Sequence, residues 1–215
     1  MRDGSEQGFT PRQHDVLERA LELLVAGGER ALTTAGVARA ASCSKESLYK
    51  WFGDREGLLA AMIAHQASKV RGFVDDGAVM DRDRFCAHLV GFALDLLQVL
   101  AGDVSLALNR LAIGQASREG SRLGQLLVEQ GRRRIDESAG ALLEAGKRRG
   151  HIVYQDRDEA YRTLYGLIVR DLHVRMLLGE ERARRPETFA ARADQAVEQF
   201  FALYGVREKE RAETA

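Results

Sequence analysis

Apolar residues recur at helical spacing along most of this chain, and polar or glycine-containing breaks separate the runs. The first run holds Val16, Leu17, Ala20, Leu21, Leu23 and Leu24 behind Thr10-Pro11. There threonine caps a helix and proline suits its first turn, and Gly27-Gly28 ends it. A hydroxyl at Thr33 or Thr34 caps a short second helix with the apolar face Val37, Ala38 and Ala41. Ser42-Cys43 turns the chain, and Ser44 caps a third helix in which Leu48 and Phe52, four apart, face the core. Lys45, Glu46, Tyr49, Lys50 and Trp51 fall on its other faces. Asp54 caps a fourth helix that carries Leu58, Leu59, Met62 and Ile63 to about Phe73.

The segment DDGAVMDRD, residues 75–83, is a linker by composition. Beyond it Phe85, Leu89, Phe92, Leu96 and Leu100 line one face of a helix running to Gly102, and Asp103 caps a shorter helix to about Ala112. Ser121 opens a long helix with Leu123, Leu126, Leu127, Ile135, Ala139, Leu142 and Leu143 inward. Its end at Lys147-Arg148-Arg149-Gly150 sets cations on the negative pole before a glycine stop. Two last helices are expected, from about Arg157 to Leu178 and from Pro186 to Tyr204. Leu164, Leu167, Ile168, Leu172 and Met176 make a broad apolar band on the first, with Ala160 and Gly166 near it; Phe189, Ala193, Ala196, Val197, Phe200, Phe201 and Tyr204 do so on the second. Wide faces of this kind serve either as core or as an intermolecular four-helix interface.

Long alternations of Leu, Ala, Glu and Arg, with two prolines in 215 residues, place the chain in the all-α class. Zero net charge argues against a polybasic coat, so affinity for nucleic acid has to come from a local patch. Cys43 and Cys86 are too few for a disulfide framework and lie outside metal-ligand spacing, which fits a reducing, cytoplasmic location. The polar first ten residues are not a signal peptide, and the apolar run Leu89 to Ala101, with Asp95 inside it, is too short to span a bilayer. Glycine-rich phosphate loops, nucleophile elbows and metal-spaced Cys/His pairs are missing, and the five histidines are scattered. Neither enzyme, cofactor, metal nor membrane is expected. The basic clusters 132–134 and 147–149 read as solvated helix faces.

One local charge excess stands out. Between Arg30 and Arg55 the cations Arg30, Arg39, Lys45, Lys50 and Arg55 face only Glu46 and Asp54. Two short helices joined by a tight turn, the second presented outward, make a helix-turn-helix whose second helix can enter a DNA major groove. Lys45, Lys50 and Arg55 supply charge for phosphates; Ser44, Ser47, Tyr49 and the Trp51 indole supply neutral donors, with Thr33 and Thr34 at the preceding helix start. On charge alone a solvated helical hairpin remains the alternative. Cys43 beside this helix is either a redox trigger or a small packed residue.

The spacing of this stretch resembles the TetR family of bacterial repressors. That family's DNA-reading segment runs Thr, Val-Ala-x-x-Ala-Gly-Val-Ser, x-Gly-Thr-Leu-Tyr-x-His-Phe, x-x-Lys-x-x-Leu. Here Thr33-Thr34 precede Val37-Ala38-Arg39-Ala40-Ala41-Ser42-Cys43-Ser44, then Lys45-Glu46-Ser47-Leu48-Tyr49-Lys50-Trp51-Phe52, then Gly53-Asp54-Arg55-Glu56-Gly57-Leu58. Ser42 stands for the turn glycine, Ser47 for threonine, Trp51 for histidine or tyrosine and Arg55 for lysine, while Glu46 replaces a small residue.

The resemblance implies a three-helix DNA-binding head joined to a larger helical ligand-binding and dimerisation domain. The expected order is a disordered arm (1–10), the helix-turn-helix domain (11–53), a connecting helix (54–74), an effector-binding and dimerisation domain (75–205) and a charged tail (206–215). Its partners would be a double-stranded DNA operator, a small-molecule effector and a second copy of the chain. The homodimer would form through the final helices, at Leu164, Ile168, Leu172, Phe189, Ala193 and Phe200. Asp95, set where its helix has almost no polar stripe, needs a partner: either Arg110 or Arg170, or a ligand in a pocket with His88, Phe92, Asn109 and Tyr165. Such a pocket would favour a cationic or hydrogen-bond-donating ligand. The competing class is an effector-independent DNA-binding or protein-interaction module.

Overall fold

The computed structural model describes residues 8–117 and 120–206. Most of the expected arm (1–7) and of the charged tail (207–215) lies outside the described residues. Helix α1 (Pro11–Ala31) opens on a reciprocal cap: the Thr10 hydroxyl accepts from the Gln13 N–H at 3.3 Å, and the Gln13 side chain accepts from the Thr10 N–H at 2.8 Å. Gly28, at φ 62° and ψ −157°, kinks this helix; one more turn follows before it ends. Next come α2 (Thr34–Ala40), α3 (Lys45–Phe52) and α4 (Arg55–Ala67).

Helix α4 stops at Ala67, short of the expected Phe73. In a continued helix the Arg71 N–H would seek the Ala67 carbonyl; here it donates to the Asp95 carboxylate at 3.3 Å, and Ala67 accepts from Val70 instead. An irregular segment leads to Asp81, whose side chain caps α5 (Arg82–Ala101) by accepting from the Arg84 N–H at 2.8 Å. After α6 (Asp103–Gln115) the chain forms α7 (Leu123–Leu126), a wide π-helical turn over Leu127–Arg132, and α8 (Arg133–Arg148).

The single helix expected from Arg157 to Leu178 is two, α9 (Arg157–Val169) and α10 (Leu172–Leu177). Arg170 breaks it, with φ at 46° and its guanidinium donating to Gln199 at 2.9 Å. Short 3₁₀ turns precede α11 (Phe189–Tyr204). Among the described residues, strand-like pairing is confined to one isolated bridge, Ile152 to Gly205.

Packing divides the chain into two units, Met1–Gln66 with Asp103–Gly131 and Ala67–Gly102 with Arg132–Ala215. This differs from the consecutive division expected above, because α6 and α7 join the unit of the head. In the first unit α1 lies against α2 and α6, over a core that includes Leu17, Leu21, Val37, Leu48, Met62 and Leu108. The second unit packs α11 on α5 and α9, with α8 against both of these. Its core includes Phe85, Leu96, Leu143, Leu164, Phe189 and Phe200, all fully buried. Gly146 is required there: a β-carbon would come within 2.2 Å of the Phe85 ring. By length and composition α5 could cross a membrane, and it is longer than the apolar run read from the sequence. Its buried Phe85, Leu89, Leu96 and Leu97 make it a core helix of this unit.

Candidate nucleic-acid interface and effector cavity

Local chemistry fixes how α3 is presented. The Thr33 hydroxyl caps α2 by accepting from the Gly36 N–H at 3.0 Å, and the Ser44 hydroxyl caps α3 by accepting from the Ser47 N–H at 3.0 Å. Between them Ser42, where the resembled pattern has glycine, holds φ at 48°. Arg12 of α1 steadies this turn, donating to the Ala41 carbonyl at 2.5 Å and to the Ser42 carbonyl at 3.1 Å. Nothing in the periodicity of α1 signals that role. The Asp54 carboxylate accepts from the Gly57 N–H at 2.8 Å and so caps α4. Glycine is needed at 57, since a β-carbon would sit 1.9 Å from the Phe52 carbonyl oxygen.

With Leu48 and Phe52 buried, the outer face of α3 carries Lys45, Glu46, Tyr49 and Lys50, all exposed. Thr33, Ser44 and Arg55 are also exposed, while Thr34, Ser47 and Trp51 are half-buried, the indole edge-on to Phe52. The ten residues therefore gather around one outward helix and the two helix starts beside it. Arg55 is not free, because it donates to Glu29 of α1 at 3.1 Å. Glu46 bends back: its own N–H and the Ser44 hydroxyl hold its carboxyl below the usual range. Burial raises the Cys43 thiol, which disfavours the thiolate a redox trigger requires. Among the described residues no three His, Cys, Asp or Glu side chains gather to hold a metal ion.

The second unit contains a cavity of about 420 Å³ whose lining includes Arg71, Phe73, His88, Phe92, Asp95 and Ser138. Three of the five expected pocket residues, His88, Phe92 and Asp95, meet there; the other two do not. Asn109, on α6, donates to the Ser105 carbonyl at 2.8 Å. Tyr165 lies beneath the Arg132 guanidinium, 5.2 Å from ring centre to carbon, and burial raises its phenol. Asp95 is paired with Arg71, not with Arg110 or Arg170: Nε donates to Oδ2 at 2.6 Å and Nη2 to Oδ1 at 2.9 Å.

The six residues expected at a dimer interface are corrected too. Leu164, Ile168, Leu172, Phe189, Ala193 and Phe200 are all 4 % exposed or less. The faces of α9, α10 and α11 that carry them pack within the protomer.

The comparisons agree with this architecture. Residues 16–62 match the model of bacterial regulatory proteins of the tetR family, and residues 87–206 match the AefR-like transcriptional repressor C-terminal domain. A TetR transcriptional regulator from Agrobacterium tumefaciens is 62 % identical over 95 % of this chain and 100 % of its own, with a TM-score of 0.82. A protein of Mesorhizobium loti MAFF303099 assigned to the TetR-family transcriptional regulators is 25 % identical over 91 % of this chain and 97 % of its own, at a TM-score of 0.71. The flavonoid-responsive regulator FrrA shares the fold, at 20 % identity over 91 % of this chain and 98 % of its own and a TM-score of 0.64. Comparison with curated proteins yields no significant match. The outward α3, its two capped neighbours and matches that reach from Val16 to Val206 lead to one conclusion: this chain is a DNA-binding transcriptional regulator and belongs to the TetR family.

Proposed function

We propose that the protein is a cytoplasmic, non-enzymatic repressor that binds a double-stranded operator as a homodimer and is released by a small molecule held in its second unit. The observation that carries this reading is the exposed face of α3, where Lys45, Glu46, Tyr49 and Lys50 stand clear of a core held by Leu48 and Phe52. Lys45 and Glu46 begin the helix, where side chains reach base edges; Lys45 donates to guanine, and Glu46 accepts from cytosine. Tyr49, Lys50 and Arg55, with Thr33, Thr34, Ser44, Ser47 and Trp51, position the head on phosphates. Residues 11–53 act as the DNA-reading head. The match to a repressor C-terminal domain supports repression, and the cavity around Asp95 supports an effector site. Two copies meet through the outward sides of the last helices, where Val174, Leu178 and Leu203 are exposed.

Fluorescence anisotropy on DNA from upstream of the protein's own gene tests the reading. Saturable binding that resists competitor DNA is expected, and Lys45→Ala should weaken it by about 1–3 kcal/mol, as for loss of a bidentate base contact. Equal affinity for operator and random DNA refutes the assignment of α3 to base reading.

A further inference from the structure

Asp95 is nine-tenths buried, yet the cation that neutralises it is not: the Asp95 side chain is 11 % exposed and that of Arg71 is 78 % exposed. The guanidinium reaches in from the irregular segment after α4 on two side-chain hydrogen bonds, while the Ser138 hydroxyl donates to the Arg71 backbone carbonyl at 3.2 Å. Leaving costs Arg71 little, since water already surrounds most of it. Leaving costs Asp95 much, because a buried carboxylate without a cation is strongly disfavoured. The pair therefore exchanges one way only: Arg71 departs when another cation takes its place. Around the carboxylate the cavity supplies Phe92, Leu142 and Phe73, with Phe73 edge-on to His88 at 5.2 Å. Aromatic faces add attraction for a cation and surface for an apolar body.

We propose that this cavity takes an organic cation, an ammonium or amidinium group on an apolar body, which displaces Arg71 and pairs with Asp95. Arg71 holds the place that the ligand's cation takes. An anion gains nothing from Asp95 and meets its repulsion. A neutral molecule cannot replace the charge that Arg71 withdraws. The inference rests on the effector-responsive reading above and adds the class of the ligand.

Three molecules of one shape separate the cases: phenethylammonium, phenethyl alcohol and phenylacetate, titrated by calorimetry into the full-length protein without DNA. The cation is expected to bind at least tenfold more tightly than the other two. Arg71→Ala should tighten the cation by a further tenfold or more; its melting temperature should fall and be restored by the cation. Arg71→Gln, which retains a donor for Asp95, serves if the alanine variant does not fold. Asp95→Asn should erase the preference for the cation while the circular dichroism spectrum stays helical. Preferential binding of phenylacetate, lost in both Arg71 variants, overturns the proposal in favour of an anion site. Binding of none of the three at millimolar concentration also overturns it. A parallel titration of the operator complex is read separately. Cation binding without release of DNA leaves the site standing and removes the effector response; failure to bind any DNA removes the regulator reading alone.

Discussion

Left-handed backbone costs a residue with a β-carbon about 1–2 kcal/mol, and Ser42 occupies that region in the turn that aims α3. Glycine relieves the strain but returns about 0.4–1 kcal/mol through its greater freedom in the unfolded chain. Ser42→Gly is thus expected to stabilise the protein by up to about 1.6 kcal/mol. A raised urea midpoint at unchanged slope checks it; a lowered midpoint assigns the serine side chain a stabilising role that outweighs the strain. Arg55 poses a different question at the same scale. Its guanidinium is shared with Glu29, so a phosphate has to compete for it. Arg55→Ala should lower the salt slope of operator binding by about one unit, as for loss of one phosphate contact. Glu29→Gln should tighten binding at low salt by releasing the guanidinium. Unchanged binding in both variants across a salt series removes Arg55 from the interface.

Among the elements, the segment between α4 and α5 is tied to the cationic end of α8. Asp75 accepts from Arg149 at 2.7 and 2.9 Å and from Arg148 at 3.0 Å, and the Arg149 guanidinium holds its carboxyl well below the usual carboxylate range. A group whose folded pKa is depressed binds fewer protons folded than unfolded, so its contribution is complete above the unfolded value near 3.9 and fades as pH falls toward the folded one. Wild type should therefore melt higher than Asp75→Asn at about pH 6, and the gap should shrink below about pH 4. A gap independent of pH leaves the ion pair no part in it. This tether was not legible in the sequence, where DDGAVMDRD reads as linker and 147–149 as helix-dipole partners. What was legible is local: the caps at Thr10, Thr33, Ser44 and Asp54, and the faces of α3, α5 and α8 follow from hydroxyl and carboxylate chemistry and spacing. The break at Arg170 and the stop at Ala67 were not, since each goes with a contact between residues far apart in the chain, Arg170 to Gln199 and Arg71 to Asp95; the π turn before α8 was not legible either. That Lys45, Glu46, Tyr49 and Lys50 share the outward face of α3 was readable for the same reason as the caps, the residues lying within one short stretch. The cavity was half readable: Asp95 announced a buried charge, but its partner Arg71 was expected within a continued helix and lies instead in the irregular segment beyond Ala67.

For the whole molecule, doubling of the DNA-reading head turns on which side of the last helices is free. A band of Leu164, Ile168, Phe189 and Phe200 fits equally a protomer's core and an interface, because both bury apolar surface; here it is core. In the proposed dimer, contacts between copies are expected on the opposite side, where Val174 is 58 %, Leu178 82 % and Leu203 64 % exposed. The two sides give opposite expectations for the same chemical change. Phe200→Asp puts a carboxylate where nothing can solvate it, at a cost of several kcal/mol, and should abolish folding of this unit. Leu178→Asp with Leu203→Asp leaves the core intact, so helix content and melting of a monomer should persist while the dimer dissociates. Operator affinity should fall steeply with it, since one head makes half the contacts on a two-half-site operator. Sedimentation velocity at micromolar protein, with circular dichroism on the same samples, reads both effects. A folded Leu178→Asp, Leu203→Asp variant that stays dimeric moves the interface elsewhere, and a wild-type protein that sediments as a monomer removes the dimer altogether.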